Sequence, residues 1–404
     1  MLDTEKIRAQ FPILNQKINK RDLIYFDNGA TSQTPKLVVD SISEYYSTIN
    51  SNVHRGVHTL SQDATEAMEN ARVVVQKHLN AKSEKEIIFT KGTTDSINMI
   101  AHAMRFILKK GDEVIISQLE HHSNIVPWQM ACELTGATLK FIPINEKGEL
   151  LIEKYDKLLS DKTKIVAVNH VSNTLGTINP IARIIEKAHK VGAWVLVDGA
   201  QSVPHMKVDV HELDADFYAF SGHKVYGPTG VGILYGKEEI LNSLHPYQGG
   251  GEMIKEVTLE KTIYADIPFR FEAGTPNIEG NIALGVAIDF VNDIGIEEIS
   301  NHEEELLKYA TSRLEQFGGI TIYGTSKYKA GVISFNLDGA HPSDVGILLD
   351  KLGIAVRTGQ HCTQPIMDYF GIPGTVRISF AVYNTKEEID GFMTAMERVK
   401  MMLL

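Results

Sequence analysis

Between residues 84 and 236 the chain alternates short apolar runs with helical patterns, and no other feature restricts the possible folds as much. "KEIIFT", "GDEVIIS", "ATLKFIP", "KIVAVNHVS", "GAWVLVDGA", "ADFYAFS" and "GVGILYG" read as strands. Most are apolar throughout, as a sheet covered by helices on both faces requires. Between several of them lie helical patterns such as "TTDSINMIAHAMRFILKK" and "PIARIIEKAHKVG", the second opening on proline and closing on glycine. The expected class is α/β with a mostly parallel central sheet. After about residue 290 a polar helical stretch precedes the strands "TIYG", "AGVISFNL" and "TVRISF" and a terminal helix, which predicts a smaller α+β unit. The expected division is a large unit at 21–290 and a small one formed by 1–20 and 291–404.

At 404 residues the chain can bury a sizeable core, and 43% hydrophobic with 23% charged residues is a soluble, globular balance. A formal net charge of -11 with no basic run opposes binding to nucleic acid or to an anionic membrane. No stretch approaches the roughly 18 apolar residues of a membrane helix. The start, "MLDTEKIRAQFPIL", lacks the apolar run of a signal peptide. With Cys132 and Cys362 the only cysteines, no disulfide framework is expected and a reducing cytoplasm fits best.

Five stretches carry chemistry. In "EIIFTKGTTDSIN" a strand runs through Gly92 into Thr93 and Thr94, which open a helix. Its free N–H groups and hydroxyls make an anion site, or the threonines simply cap the helix. "WVLVDGAQS" sets Asp198 at the end of an apolar strand, where open α/β sheets bind ligands, with Gln201 three residues on. Asp198 either caps the next turn or partners a buried cation. "FSGHKVYGPTGVG" places Ser221, His223 and Lys224 at the end of the following strand. An ordinary lysine is neutral only about four times in ten thousand at pH 7, so a nucleophilic one needs perturbation or a ready-made imine. Pyridoxal phosphate supplies that imine and requires a lysine, an acid near its pyridine nitrogen, an anion cradle and a planar group over the ring. His121 of "LEHHSNIVPW" offers the planar group; no spaced Cys/His/Glu set points to a metal.

In the fifth, "VRTGQHCTQPIMDYFGIPGTVRISF", Cys362 sits in a turn-rich segment, whereas Cys132 has the surroundings of a helix interior. A free thiol needs modest tuning to act as a nucleophile. If the segment is extended, Gln360 and not His361 shares a side with Cys362. Arg357 and Arg377 flank it. Arg377 lies in a strand suited to burial, so it requires an anion, either an internal carboxylate or a ligand's.

Together with "YFDNGATSQTP", "SNVHRGVHTLS", "NHVSNTLGTINP" and "FEAGTPN", these motifs in this order resemble, over almost the whole chain, the group II cysteine desulfurases of the SUF iron-sulfur assembly system, pyridoxal-phosphate enzymes of fold type I. The resemblance implies that Lys224 carries the cofactor, Asp198 faces its ring nitrogen, Gln201 its phenolic oxygen, and His121 its face. Thr93, Ser221 and His223 would hold the phosphate, joined by Thr275 from the neighbouring subunit of a homodimer. Asn173, Arg357 and Arg377 would orient L-cysteine, and Cys362 would take its sulfur as a persulfide, leaving L-alanine. Many relatives have histidine where this chain has Gln360, so thiol activation is expected from the cofactor or His54. A short cysteine loop implies relay to an acceptor of the SufE or SufU kind. Selenocysteine lyase shares the scaffold and is the alternative; a cofactor-free Cys362/His361 thiol enzyme or a non-enzymatic binding module leaves more of these residues unexplained.

Overall fold

Seven runs of apolar residues do form one sheet in the structure, a computed structural model that describes residues 2–404. The strands are β1 (Ile87–Thr90), β2 (Glu113–Ser117), β3 (Thr138–Ile142), β4 (Thr163–Asn169), β5 (Trp194–Asp198), β6 (Phe217–Ser221) and β7 (Gly232–Gly236). Their spatial order is β1-β7-β6-β5-β4-β2-β3. Strand β7 runs antiparallel to both neighbours, and the pairs from β6 to β3 are parallel. All five residues of β6 and of β7 are buried, which is why these strands carry no polar-apolar alternation.

A second sheet of four strands follows: β8 (Ile320–Tyr323), β9 (Val332–Leu337), β10 (Arg357–Gly359) and β11 (Thr375–Ser379), in the order β8-β9-β11-β10 and antiparallel throughout. Residues Ile24–Tyr25 pair in parallel with Ile354–Ala355, so the start of the chain is stitched to its last third.

The helices are amphipathic where they cover sheet and apolar where they are enclosed. The principal ones are α1 (Lys36–Thr48), α2 (Thr59–His78), α3 (Thr93–Met104), α4 (Val126–Thr135), α5 (Ile181–His189), α6 (Ile278–Ile294), α7 (Ile296–Phe317) and α8 (Lys386–Leu403). Helix α5 buries Ile181, Ile184, Ile185 and Ala188, the i, i+3, i+4, i+7 set of one face. Helix α8 opens on a capping box in which Thr385 and Glu388 satisfy each other's backbone N–H groups. Among the described residues no helix is long and apolar enough to cross a membrane.

The sheet fixes the position of the site. Strands β1, β2, β4, β5 and β6 all point their carboxyl ends the same way, and the turns beyond them gather at one edge. Ligands bind at that edge in open α/β sheets.

Candidate active site

A cavity of ≈ 260 Å³ opens there, lined by every site residue expected from the sequence except His54 and Thr275. One end is a helix N-terminus. Gly92, the residue before α3, has φ 140°, which side-chain-bearing residues rarely adopt. It also packs so close to β7 that a Cβ on Gly232 would lie 2.4 Å from its Cα. The turn therefore aims the first N–H groups of α3 at the cavity. Thr93 donates its N–H to Ser221 Oγ at 2.8 Å, its Oγ1 meets the same oxygen at 2.8 Å, and Thr94 Oγ1 meets Ser123 Oγ at 2.6 Å. With the helix dipole, this cluster of hydroxyls favours an anion. Burial, then the charge of Lys224, push His223 beside it down to about 4.

At the centre, Asp198 ends β5 and accepts the N–H of Ala200 at 3.0 Å. Burial raises its carboxyl, and the Ala200 bond and Lys224 oppose the rise. Lys224 closes the short turn after β6, where burial pushes it down to about 8 although Asp198 pulls the other way. An amine so tuned is neutral roughly one time in ten at pH 7, against a few in ten thousand for an ordinary lysine. His121 accepts the N–H of Ser123 on Nδ1 at 3.1 Å, and burial followed by Lys224 push its ring to about 3. It is a neutral, flat group held by its own loop. Gln201 donates from Nε2 to the Gly29 carbonyl at 2.7 Å.

The other end is cationic. In the register of β10 and β11, Arg357 stands opposite Arg377. Arg377 is only 2% exposed; it donates through Nη1 to the Asn173 carbonyl at 2.9 Å and through Nη2 to Asp27 Oδ1 at 3.1 Å. Both readings of this arginine made from the sequence therefore have a footing: an internal carboxylate touches it, and it also lines the cavity. Asn173 in turn donates from Nδ2 to the His361 carbonyl at 2.8 Å, tying the arginine to the cysteine turn.

That turn is not extended. His361 and Cys362 have φ 53° and 59°, two consecutive left-handed residues after Gly359 at φ 106°. The alternation of an extended chain does not apply, and the expectation that Gln360 shares a side with Cys362 is overturned. Gln360 is exposed, whereas His361 is buried, lines the cavity beside Cys362, and pairs through Nε2 with Thr375 Oγ1 at 2.8 Å. Burial, with Arg377 and Arg357, push this ring to about 3, so it is neutral at physiological pH.

Two expected residues lie elsewhere in the chain. His54 Nε2 is 2.9 Å from Glu69 Oε1, and Glu69 also binds the buried Arg72. Arg72 reaches Glu272, which stands three residues before Thr275. Sequence reasoning missed other groups. Asp27 and Gly29 belong to "YFDNGATSQTP" yet were assigned no role. Ser123 and the wholly buried Glu120 flank the two histidines. Glu120 takes Asn169 N–H at 3.0 Å and Asn124 Nδ2 at 2.7 Å, contacts Ser117 Oγ, and is pushed by burial up to about 8. An acid beside tandem histidines was the signal available.

Four polar atoms of residues in the cavity wall, Gln201 Oε1, Asn173 Oδ1, His361 Nδ1 and Arg377 Nε, are buried without any hydrogen-bond partner. Native interiors rarely leave such atoms unpaired, so the cavity is shaped for a polar occupant.

The Aminotransferase class-V family matches residues 24–392. A probable cysteine desulfurase of Halalkalibacterium halodurans is 50% identical over 400 residues, covering 99% of this chain and 98% of that one. A cysteine desulfurase of Escherichia coli K12 is 48% identical over 405 residues and 100% of both chains. The solved apo structure of cysteine desulfurase from Thermococcus onnurineus superposes with a TM-score of 0.94 at 43% identity, covering 99% of this chain and 98% of that one. A lysine, a carboxylate, an anion-binding helix end and a thiol around one cavity, matched along the full length, place the chain in the Aminotransferase class-V family, among the cysteine desulfurases.

Proposed function

We propose that the residues of this cavity convert L-cysteine to L-alanine and leave the sulfur on Cys362 as a persulfide. The observation that carries the reading is the meeting of Lys224, Asp198, Arg377 and Cys362 in the wall of one cavity, from four separate stretches of chain. Pyridoxal phosphate fits the donor set: an anion cradle at Thr93, Thr94, Ser221 and His223, a carboxylate at Asp198, a neutral imidazole at His121, and an amide at Gln201 whose Oε1 has no other partner. When bound, the cofactor supplies an electron sink conjugated to the substrate's Cα.

The chain's own groups do the rest. Asp198, anchored by Ala200 N–H, would partner the cofactor's ring nitrogen and hold a proton on it. Lys224 Nζ, tuned to about 8, exchanges the α-proton near neutral pH. Arg377 takes the substrate carboxylate on the donors that Asn173 and Asp27 leave free, with Arg357 and Asn173 beside it. The Sγ of Cys362 then bonds to the substrate's sulfur as the carbon-sulfur bond breaks, and the carbon takes up a proton to give alanine. His361 stays neutral and fixes the turn through Thr375.

In this reading the large unit at 21–290 holds the cofactor, and the small unit of 1–20 and 291–404 delivers Arg377 and the thiol. Thr275 and His54 serve a neighbouring copy in a homodimer, which accounts for their absence from this chain's own cavity. The persulfide passes to a cytoplasmic acceptor of the SufE or SufU kind and onward to iron-sulfur assembly. The test is alanine and persulfide formation by the holoenzyme and by Cys362→Ala, with cysteine and with selenocysteine. Loss of activity with cysteine alone supports thiol transfer; no alanine from cysteine in the unaltered enzyme overturns it in favour of a selenocysteine lyase.

A further inference from the structure

The motif "FDNGATS" lies against the cavity with no part in the reaction as described, yet its residues are fixed with unusual care. Ser379 Oγ accepts the N–H of Gly29 at 2.7 Å, Ser379 N–H donates to the Phe26 carbonyl at 2.8 Å, and Asn28 Nδ2 donates to the Ser379 carbonyl at 2.7 Å. These bonds lay the segment alongside β11 and set Asp27 next to Arg377, 350 positions away in sequence. Gly29 completes the fit. A Cβ there would stand 3.2 Å from the Arg377 guanidinium, so glycine lets the segment close on it.

The charge arrangement raises a question. Arg357 and Arg377 are directly opposed on neighbouring strands, where like charges repel. Both line the cavity; Asp27 is the carboxylate paired with Arg377, and the charge of Arg357 also reaches it. Burial pushes the Asp27 carboxyl upward, while Arg377 and Arg357 hold it down. Substrate and product carry the same α-carboxylate, so any grip on that group favours both equally. Such uniform binding lowers KM without hastening the reaction, and it retards release of alanine.

We infer that Asp27 is a positioning residue that sets the strength of the carboxylate site: it holds Arg377 in place through Nη2 while its negative charge weakens the hold of the two arginines on the amino acid. This rests on the reading that Arg377 receives the substrate carboxylate. Asp27 touches no reacting atom and acts through the guanidinium.

The test is Asp27→Asn, which keeps an oxygen acceptor for Nη2 and removes the charge, measured as holoenzyme. KM for cysteine and the Kd for L-alanine should both fall roughly three- to tenfold, the scale of one partly screened charge at this range. The kcat should fall as alanine leaves more slowly. Cysteamine, which has the thiol and amine but no carboxylate, should bind as it does to the unaltered enzyme. Equal changes for cysteamine and alanine would mean a general disturbance and overturn the inference, as would an unchanged alanine Kd. Should the asparagine variant not fold, Asp27→Ser offers an uncharged oxygen for the same measurements. Arg377→Ala separates the two levels. If it weakens alanine binding while Asp27→Asn does not alter it, the role of Asp27 fails alone; if it also leaves alanine binding intact, the carboxylate reading fails and takes this inference with it.

Discussion

His122 donates its backbone N–H to the carbonyl of Cys362 at 2.8 Å, and its ring Nε2 accepts the N–H of Gln364 at 3.2 Å. A residue next to His121 thus grips the thiol-bearing turn from the opposite wall. The turn needs such support, because two successive left-handed residues without glycine are costly and persist only when their surroundings impose them.

His122→Ala keeps the backbone bond and removes the ring acceptor. Persulfide formation on Cys362 in a single turnover should slow by roughly threefold to tenfold, the value of one modest hydrogen bond, while the cofactor's visible absorbance stays unchanged. An unchanged single-turnover rate would show that the backbone bond suffices.

Lys224 gives a pH signature in the cofactor-free protein. Its amine is pushed from an ordinary 10.5 to about 8, so between those values the unfolded chain binds the proton and the folded one does not. Stability therefore rises with pH across that window, and below pH 8 the buried amine disfavours the fold by up to about 3 kcal/mol. Lys224→Met should raise the urea midpoint at pH 7, and its advantage should shrink as pH climbs from 8 to 10.5. A constant difference would refute the burial argument.

Glu120 behaves in the opposite sense. Its carboxyl is raised from 4.5 to about 8, so the fold holds a proton that the unfolded chain has lost. The resulting contribution is complete below 4.5 and is lost as pH rises through 8. Glu120→Gln should flatten the stability decline over that range, so that its advantage over the unaltered chain grows from near zero at pH 4.5 to up to about 3 kcal/mol at pH 7. Glu120→Ala, which strands the Asn169 N–H and the Asn124 amide, should cost about 2–4 kcal/mol by chemical denaturation.

Arg72 is wholly buried between Glu69 and Glu272, with its guanidinium carbon 4.5 Å from the centre of the Phe89 ring. Arg72→Ala leaves Glu272 enclosed beside the Phe89 N–H with its cation gone. We expect about 3–5 kcal/mol of destabilisation, read from the denaturation midpoint of the apoprotein. Because Glu272 precedes the Thr275 loop, cofactor affinity should fall as well, by fluorescence titration.

Six of the seven large-sheet strands were legible because enclosure leaves runs of apolar residues that few other arrangements use, and the half-exposed edge strand β3 because its residues are β-rich. Strand β10 was not, since its three residues, Arg357–Gly359, are short and polar and owe their pairing to β11. Helices α1 and α2 and the hairpin of Ile254–Val257 with Thr262–Tyr264 were passed over for a related reason: their chemistry gave no motif to interpret. In the site, residues at strand ends such as Asp198 and Ser221 could be named from local pattern. The error at Gln360 came from assuming an extended backbone where His361 and Cys362 are left-handed.

The amino-acid sequence by itself determined the α/β class, the strand-end placement of Asp198 and Lys224, and the turn-rich character of the Cys362 segment, because each follows from apolar periodicity and turn chemistry within a dozen residues. Tertiary structure alone decided that Asp27 would meet Arg377, that His361 would replace Gln360 in the cavity wall, and that burial would bring Lys224 near neutrality. Those outcomes depend on how distant segments exclude water and juxtapose charge, and neither desolvation nor a contact across 350 positions is written in any local pattern.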